Sequence, residues 1–373
     1  MLTQLTNQDV MFVGGLPRTG GSMLPFMFDG MPGVYTPPFE MHIAGATGDD
    51  VRDEDLRNQE PSRVVAITSR LKVQGKEQHP PKPIACKGRM EFTFDSELFY
   101  DEYVAAVRRG EVNEKNYVAQ KIAAFFSSID RPLAEDTRCL IAHSGKAIAH
   151  SSAHFLATNE IGLYVYTRRD DIAWWRSYTG KFANVPILRD RKVIEQFIEV
   201  KQESDDLATE YERRLGDRYV IVEYEHSVDS PTNTVADLCG RLGLSVPPDH
   251  DPKPTFLGIP VPANSSFGEL RQQTDIIPAS TARPDFDAAT TEFLEELRSS
   301  GPGRLPGLSD LSDRAFGKVA RYVHRRFYVL ELFRKQLSKA GRVLRLAQRE
   351  KKMWKKARAE ARAQAKAEAR AKG

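Results

Sequence analysis

Residues Phe12 to Leu24 read FVGGLPRTGGSML, a glycine-rich turn between two apolar segments. From Gly15 the spacing is G-x-x-x-x-G-G-S, where a loop that cradles a nucleoside triphosphate would read G-x-x-x-x-G-K-S. Gly21 occupies the lysine slot. Positive charge stands three residues earlier, at Arg18, beside Pro17. A guanidinium engages phosphate oxygens in pairs. Gly20 and Gly21 let the backbone wrap closely around an anion, and Ser22 adds a hydroxyl. If the loop enters a helix, the unpaired N–H groups at the helix start and the dipole also favour negative charge. The acid that would hold a metal beside a triphosphate is not evident at the end of an apolar strand. The loop therefore suits a terminal 5′-phosphate without a metal-bound triphosphate, the plain alternative being an ordinary glycine-rich turn.

A second stretch, YVYTRRDDIAWWRSYTGKF, carries arginines after an apolar run, with Ser177 eight residues beyond Arg169. With PRTGGSML at Pro17 to Leu24, it resembles the sulfotransferases that use 3′-phosphoadenosine 5′-phosphosulfate (PAPS). Their 5′-phosphosulfate loop is similar to P-[RK]-[ST]-G-[ST]-[ST]-x-L, from which Gly21 departs. Their 3′-phosphate motif is a strand ending in Arg-Asp with a serine eight positions on, and Asp171 stands where proline is common. Eight residues of helix make about two turns, so Arg169 and Ser177 can grip one phosphate together. Arg168 is the alternative ligand if the register slips by one. VIVEYEHSVDSPTNTVADLCGRLGL, GVYTPPFEMH and NSSFGE are similar to further stretches of that family in the same order. The resemblance spans about residues 10 to 275 and leaves out the last hundred.

The resemblance implies sulfuryl transfer from PAPS to a hydroxyl acceptor, carbohydrate or glycolipid by analogy, with adenosine 3′,5′-bisphosphate released and no metal. It implies a nucleotide site of Arg18, Thr19, Gly20, Gly21, Ser22, Arg169, Ser177, Lys181, Tyr224, Ser265 and Ser266. In-line displacement asks for a base at the acceptor and cations at the leaving oxygen. The base is Glu40 or His42; in an extended segment both point the same way. Lys146, 23 residues before Arg169, and Arg18 would stabilise the leaving side. An ATP-dependent phosphotransferase and a non-catalytic nucleotide-binding or membrane-associated scaffold are the competing readings. Trp174 and Trp175 suit a core better than a stacking platform. His143, His150 and His154 have no carboxylate or thiol set around them to make a metal site.

The elements that must position these groups follow from periodicity. Strands are expected at Val10–Gly14, Cys139–Ala142, Leu163–Thr167 and Tyr219–Glu223, and helices at Ser22–Phe28, 147–159, from Asp170, and at Thr232–Leu242. Strands separated by helices predict an α/β fold, a P-loop-like parallel sheet flanked by helices, which is the sulfotransferase fold of the resemblance. Asn113–Ser128 and Arg189–Leu215 read as helical insertions, and Pro247–Pro262 as an irregular connection. The chain divides into a domain at 1–298, a linker at 299–312, an amphipathic basic helix at 313–348 and a low-complexity tail at 349–373. Of the formal charge of +3, the tail supplies +7 from ten basic and three acidic residues, leaving −4 on the body. A body of that sign is not a nucleic-acid binder. Three scattered cysteines argue for a reducing compartment. The N-terminus lacks the pattern of a secretory signal, and no uncharged run is long enough to span a bilayer. A cytoplasmic location is expected. The basic extension would pack, self-associate or touch the inner face of a membrane.

Overall fold

The computed structural model describes residues 5–38, 116–143, 161–181, 186–260 and 286–313. It also describes the backbone of 82–86 and 90–94, and scattered positions in 102–112 and 315–330. Five strands form one sheet, β1 (Val10–Gly15), β2 (Val34–Tyr35), β5 (Cys139–His143), β6 (Leu163–Arg168) and β7 (Tyr219–Glu223), in the order β2-β5-β1-β6-β7. Every pairing within it is parallel. A parallel sheet covered on both faces needs near-continuous apolar strands, and VMFVGG, CLIAH and LYVYTR are of that kind. Side chains alternate between the faces. Val10, Phe12, Leu140, Ala142, Tyr164 and Tyr166 face one core, and Met11, Val13, Cys139, Ile141, Leu163 and Val165 face the other.

Helices α1 (Tyr117–Ser128), α2 (Asp171–Lys181) and α3 (Arg191–Leu215) cover the first face, through Ile122, Trp174, Trp175, Phe197 and Leu207 among others. A short α4 (Tyr224–Asp229) leads into α5 (Pro231–Arg241), which covers the second face through Val235, Leu238 and Cys239. Capping explains the boundaries. Asp190 accepts from the Lys192 and Val193 amides at the start of α3, and Asp287 accepts from Thr290 at the start of α6 (Ala288–Ser300), which ends at left-handed Gly301. The expected strands and the α/β class stand, each strand within a residue of its expected end.

One element differs. Ser22–Phe28 is a turn followed by a five-residue 3-10 helix at Leu24–Phe28. Pro25 has no N–H to give Gly21, so an α-helical ladder cannot run through the segment. The short bonds, Met23 N to Gly20 O at 2.8 Å and Phe26 N to Met23 O at 3.0 Å, each span three residues, beside a long four-residue one from Leu24 N to Gly20 O at 3.4 Å. Two antiparallel pairs, β3 (Lys82–Cys86) with β4 (Met90–Phe94) and β8 (Thr255–Phe256) with β9 (Ile259–Pro260), went unforeseen. The second lies in the proline-rich connection, where Leu257 and Gly258 turn the chain with φ of 51° and 76°. The expected helix at 147–159 lies outside the described residues.

Residues 301–312 pack on α3. The Gly303 and Leu305 amides donate to Gln202 Oε1 and Asp206 Oδ2, and Arg214 Nη2 donates to the Leu308 and Leu311 carbonyls. Phe316, Ala320, Val323 and Phe327 of the following helical stretch are buried in the same core. Among the described residues no helix is long and apolar enough to cross a membrane.

One buried group fits none of this packing. Lys121, in the middle of α1, is 2% exposed, and its Nζ has no hydrogen-bond partner among the described residues. Burial pulls its pKa from the ordinary lysine value down to about 7. Above that pH the unfolded chain still holds the proton and the folded chain does not, so stability rises with pH from about 7 to about 10. Lys121→Met should stabilise the fold at pH 7 by about 1–3 kcal/mol and flatten that rise. Denaturant melts of both chains across the window check it, and an unaltered slope would mean that the amine has a partner.

Candidate functional site

The site grows from the carboxyl ends of β1 and β6, where Gly14 faces Tyr166 and Gly15 faces Thr167 in the register. The chain leaves β1 through Leu16 and Pro17 and reaches Arg18, which has a φ of 80°. That conformation is costly for a residue with a Cβ, and surrounding contacts must hold it. They do. Trp174 Nε1 donates to the Pro17 carbonyl at 2.8 Å, and Arg169 Nη1 to the Arg18 carbonyl at 3.3 Å. Thr19 Oγ1 donates to the Leu16 carbonyl at 2.7 Å and lies 2.8 Å from Thr167 Oγ1, which donates to the Gly14 carbonyl at 3.0 Å.

The cations converge across the sequence. Arg18 Nε donates to Ser177 Oγ at 3.2 Å, although 159 residues separate them. Ser177 lies two turns along α2, whose start is fixed by Asp170 Oδ1 accepting from the Ile172 and Ala173 amides. Arg169 and Ser177 are both buried. The Arg169 guanidinium lies over the Tyr224 ring, 4.2 Å from its centroid, and its Nε is 3.9 Å from Glu225 Oε1. That Nε is buried without a hydrogen-bond partner among the described residues. Burial lowers the Arg169 pKa, while Tyr224, Glu225 and Asp170 push the other way. An arginine this buried keeps its charge but has lost part of its hydration, so an arriving anion meets a donor already stripped of water.

Arg168 turns elsewhere. Its Nε donates to Glu223 Oε1 at 2.7 Å, and it reaches toward Thr209 on α3, so Arg169 is the arginine that meets the loop. Gly20 has a φ of 95°, and a Cβ there would collide with Tyr224 Cδ2. Tyr224 is thus held between the loop and Arg169. Gly21 also has a local cause. A Cβ on it would come within 3.0 Å of Thr167 Oγ1, so the Thr167 hydroxyl crowds the place where a side chain at Gly21 would begin.

No α-helix dipole acts on this loop, because it runs into the short 3-10 turn, and the Thr19 and Met23 amides bond within the loop. Ser22 is half-buried at the end of the loop. Lys181 is the last residue of α2, and its side chain is not described. Glu40, His42, Lys146, Ser265 and Ser266 lie outside the described residues, as do His150 and His154. His143 ends β5, buried edge-on to Phe26 with ring centroids 5.6 Å apart. Among the described residues no group of three His, Cys, Asp or Glu could hold a metal ion. Trp174, Trp175 and Tyr178 form one buried aromatic cluster. Thr167, Trp174 as a brace, and Glu225 were not foreseen as parts of the site. Only the crowding of polar residues at a strand end could have marked Thr167.

No family model and no curated protein matches the chain. Solved structures do resemble it. The sulfotransferase domain from the Synechococcus PCC 7002 olefin synthase aligns with a TM-score of 0.41 and 21% identity, covering 80% of this chain and 95% of that one. The sulfotransferase domain from the curacin biosynthetic pathway gives 0.40 and 15%, covering 78% and 97%. The sulfotransferase from Alicyclobacillus acidocaldarius gives 0.39 and 12%, covering 82% and 97%. Scores this low leave the functional argument to the residues themselves.

The closeness of Gly20 and Tyr224 is testable. Gly20→Ala should cost about 1–3 kcal/mol of stability, because it forces both a strained φ and displacement of the ring. A near-neutral thermal melt would show that Tyr224 does not lie against the loop.

Proposed function

We propose that the chain is a sulfotransferase that takes PAPS as donor and a hydroxyl compound as acceptor. The observation that carries this is the meeting of Arg18 with Ser177 and Arg169, more than 150 residues apart in sequence, at the ends of adjacent parallel strands. Ligands of open α/β sheets bind outside the carboxyl ends of the strands. A site with two guanidiniums, a serine hydroxyl and a buried Arg169 Nε lacking a partner among the described residues fits a ligand with more than one anionic group.

PAPS would supply the sulfuryl group. Arg18, Thr19, Gly20, Gly21 and Ser22 would hold the 5′-phosphosulfate end. Arg169 and Ser177, with Lys181 nearby on α2, would hold the 3′-phosphate. Tyr224 would lie along the nucleoside, and Ser265 and Ser266 would cover it. Glu40 accepts the proton of the acceptor hydroxyl, or His42 does, and Lys146 with Arg18 offsets charge on the departing oxygen. The resemblance favours a carbohydrate or glycolipid acceptor. With Gly21 in the lysine slot, the loop has no side-chain ammonium for β- and γ-phosphates, which disfavours ATP.

A thermal-shift titration tests the donor. Adenosine 3′,5′-bisphosphate without magnesium should raise the melting temperature, by the equivalent of about 2.7 kcal/mol at a hundredfold excess over Kd. ADP with magnesium should do less, and the reverse order overturns the proposal. Arg169→Ala should weaken the bisphosphate roughly tenfold to a hundredfold, the loss of a charge-assisted hydrogen bond. Glu40→Gln should leave that affinity intact and reduce turnover by about 10²–10⁴. Loss of binding in Glu40→Gln would remove Glu40 from the acceptor side.

A further inference from the structure

Beneath the two arginines lies a second set of charges with no place in the transfer chemistry. Lys201 of α3 is 1% exposed. Its Nζ lies 2.6 Å from Asp171 Oδ1 and 2.6 Å from Asp205 Oδ2. The Tyr166 hydroxyl of β6 donates to Asp205 Oδ1 at 3.1 Å. Gln202 Nε2 donates to Asp171 Oδ2 at 2.9 Å, while Gln202 Oε1 accepts from the Gly303 amide at 3.1 Å. Buried Lys201 and Asp205, the half-buried Asp171 and their partners thus join β6, α2, α3 and the segment after α6.

The location gives the cluster its meaning. Asp171 opens α2, two residues after Arg169 and six before Ser177. Tyr166 is three residues before Arg169 on the strand that delivers it. One lysine therefore fixes the strand and the helix between which the arginine is held. Apolar residues of similar volume would fill such a core at least as stably, so what the ions add is a fixed geometry. Proline at the first helical position would set the backbone there through its own ring. Aspartate does not, and here its carboxylate is pinned from α3. A helix rotated by one residue turns through about 100°, which would carry Ser177 out of reach of Arg18.

We propose that Lys201 is a positioning residue that, through Asp171, locks the start of α2 so that Arg169 and Ser177 converge on one anion. This rests on the donor-site reading above. Asp171→Asn is the informative variant, because it weakens the tie to α2 and leaves the Lys201–Asp205 pair in place. It should weaken adenosine 3′,5′-bisphosphate about tenfold, the low end of what loss of an orienting partner costs at metal sites. Lys201→Met should do the same or more if it folds. In an Arg169→Ala background, Asp171→Asn should have a smaller effect on Kd, since of the two groups it positions only Ser177 is left.

Isothermal titration of the four chains, natural, D171N, R169A and the double variant, decides. A D171N chain with lowered melting temperature and unchanged Kd overturns the inference, as does an equal loss in both backgrounds, because either marks the cluster as structural only. Failure of the natural chain itself to bind the bisphosphate overturns the donor-site reading and this inference with it. Binding by the natural chain with D171N unaffected overturns this inference alone.

Discussion

The site depends on two parallel strands ending side by side at the same level. Gly15 and Thr167 are register partners, and a Cβ on Gly15 would lie 2.5 Å from Thr167 Oγ1. The glycine there is a condition of the approach, with φ at 152°. Once the strand ends are this close, the loop after β1 can lean on the residues at and beyond the end of β6. Its Pro17 and Arg18 carbonyls accept from Trp174 and Arg169, and its Thr19 hydroxyl meets Thr167. A strained arginine backbone is held by neighbours about 150 residues away in sequence, which is how such conformations persist.

On the proposed reading, that arrangement supplies the cation the loop lacks. A lysine in the loop would carry its charge on a flexible stem, hydrated until a ligand arrived. Here charge comes from two guanidiniums on separate elements, one of them buried against Tyr224 and Glu225. The desolvation of Arg169 is already incurred in the fold, so an anion does not have to strip it on binding. Glu225, close to the Arg169 Nε, offsets part of that burial cost, and its own pKa is raised by burial. The carboxylate and an incoming phosphate would compete for one guanidinium.

The fold was legible wherever a strand buries both faces. Apolar runs of five or six residues announced β1, β5, β6 and β7 with ends off by no more than one. β2 and the β8–β9 hairpin have two residues to a strand, too few for any period to register. Ser22–Phe28 looked helical because apolar content does not distinguish a 3-10 turn from an α-helix, and Pro25 was the overlooked signal. In the site, motif spacing singled out Arg18, Arg169 and Ser177, and the fold brings these together. The supports stayed hidden. Lys201, Gln202 and Asp205 lie close together on α3 among other polar residues, and only the fold shows them turned inward. Motif spacing favours Arg169 and leaves Arg168 as the alternative one residue off, and the pairing of Arg168 with Glu223 sets the two apart.

Helix α3 also bears on the basic C-terminal extension. One flank holds Lys201 and Asp205 against β6 and α2, and another receives the extension's first turns. Phe327 packs edge-on to Phe197, the Phe316 ring lies 4.6 Å from the Tyr211 ring centroid to centroid, and Arg326 pairs with Glu199 and Glu203. The apolar side chains that give this stretch its helical periodicity are therefore already committed to the protein core. A bilayer would have to extract them, exposing α3 and loosening the element on which the ion cluster is built. Among the described residues of the extension, the large apolar side chains left exposed are Tyr322 and Val329.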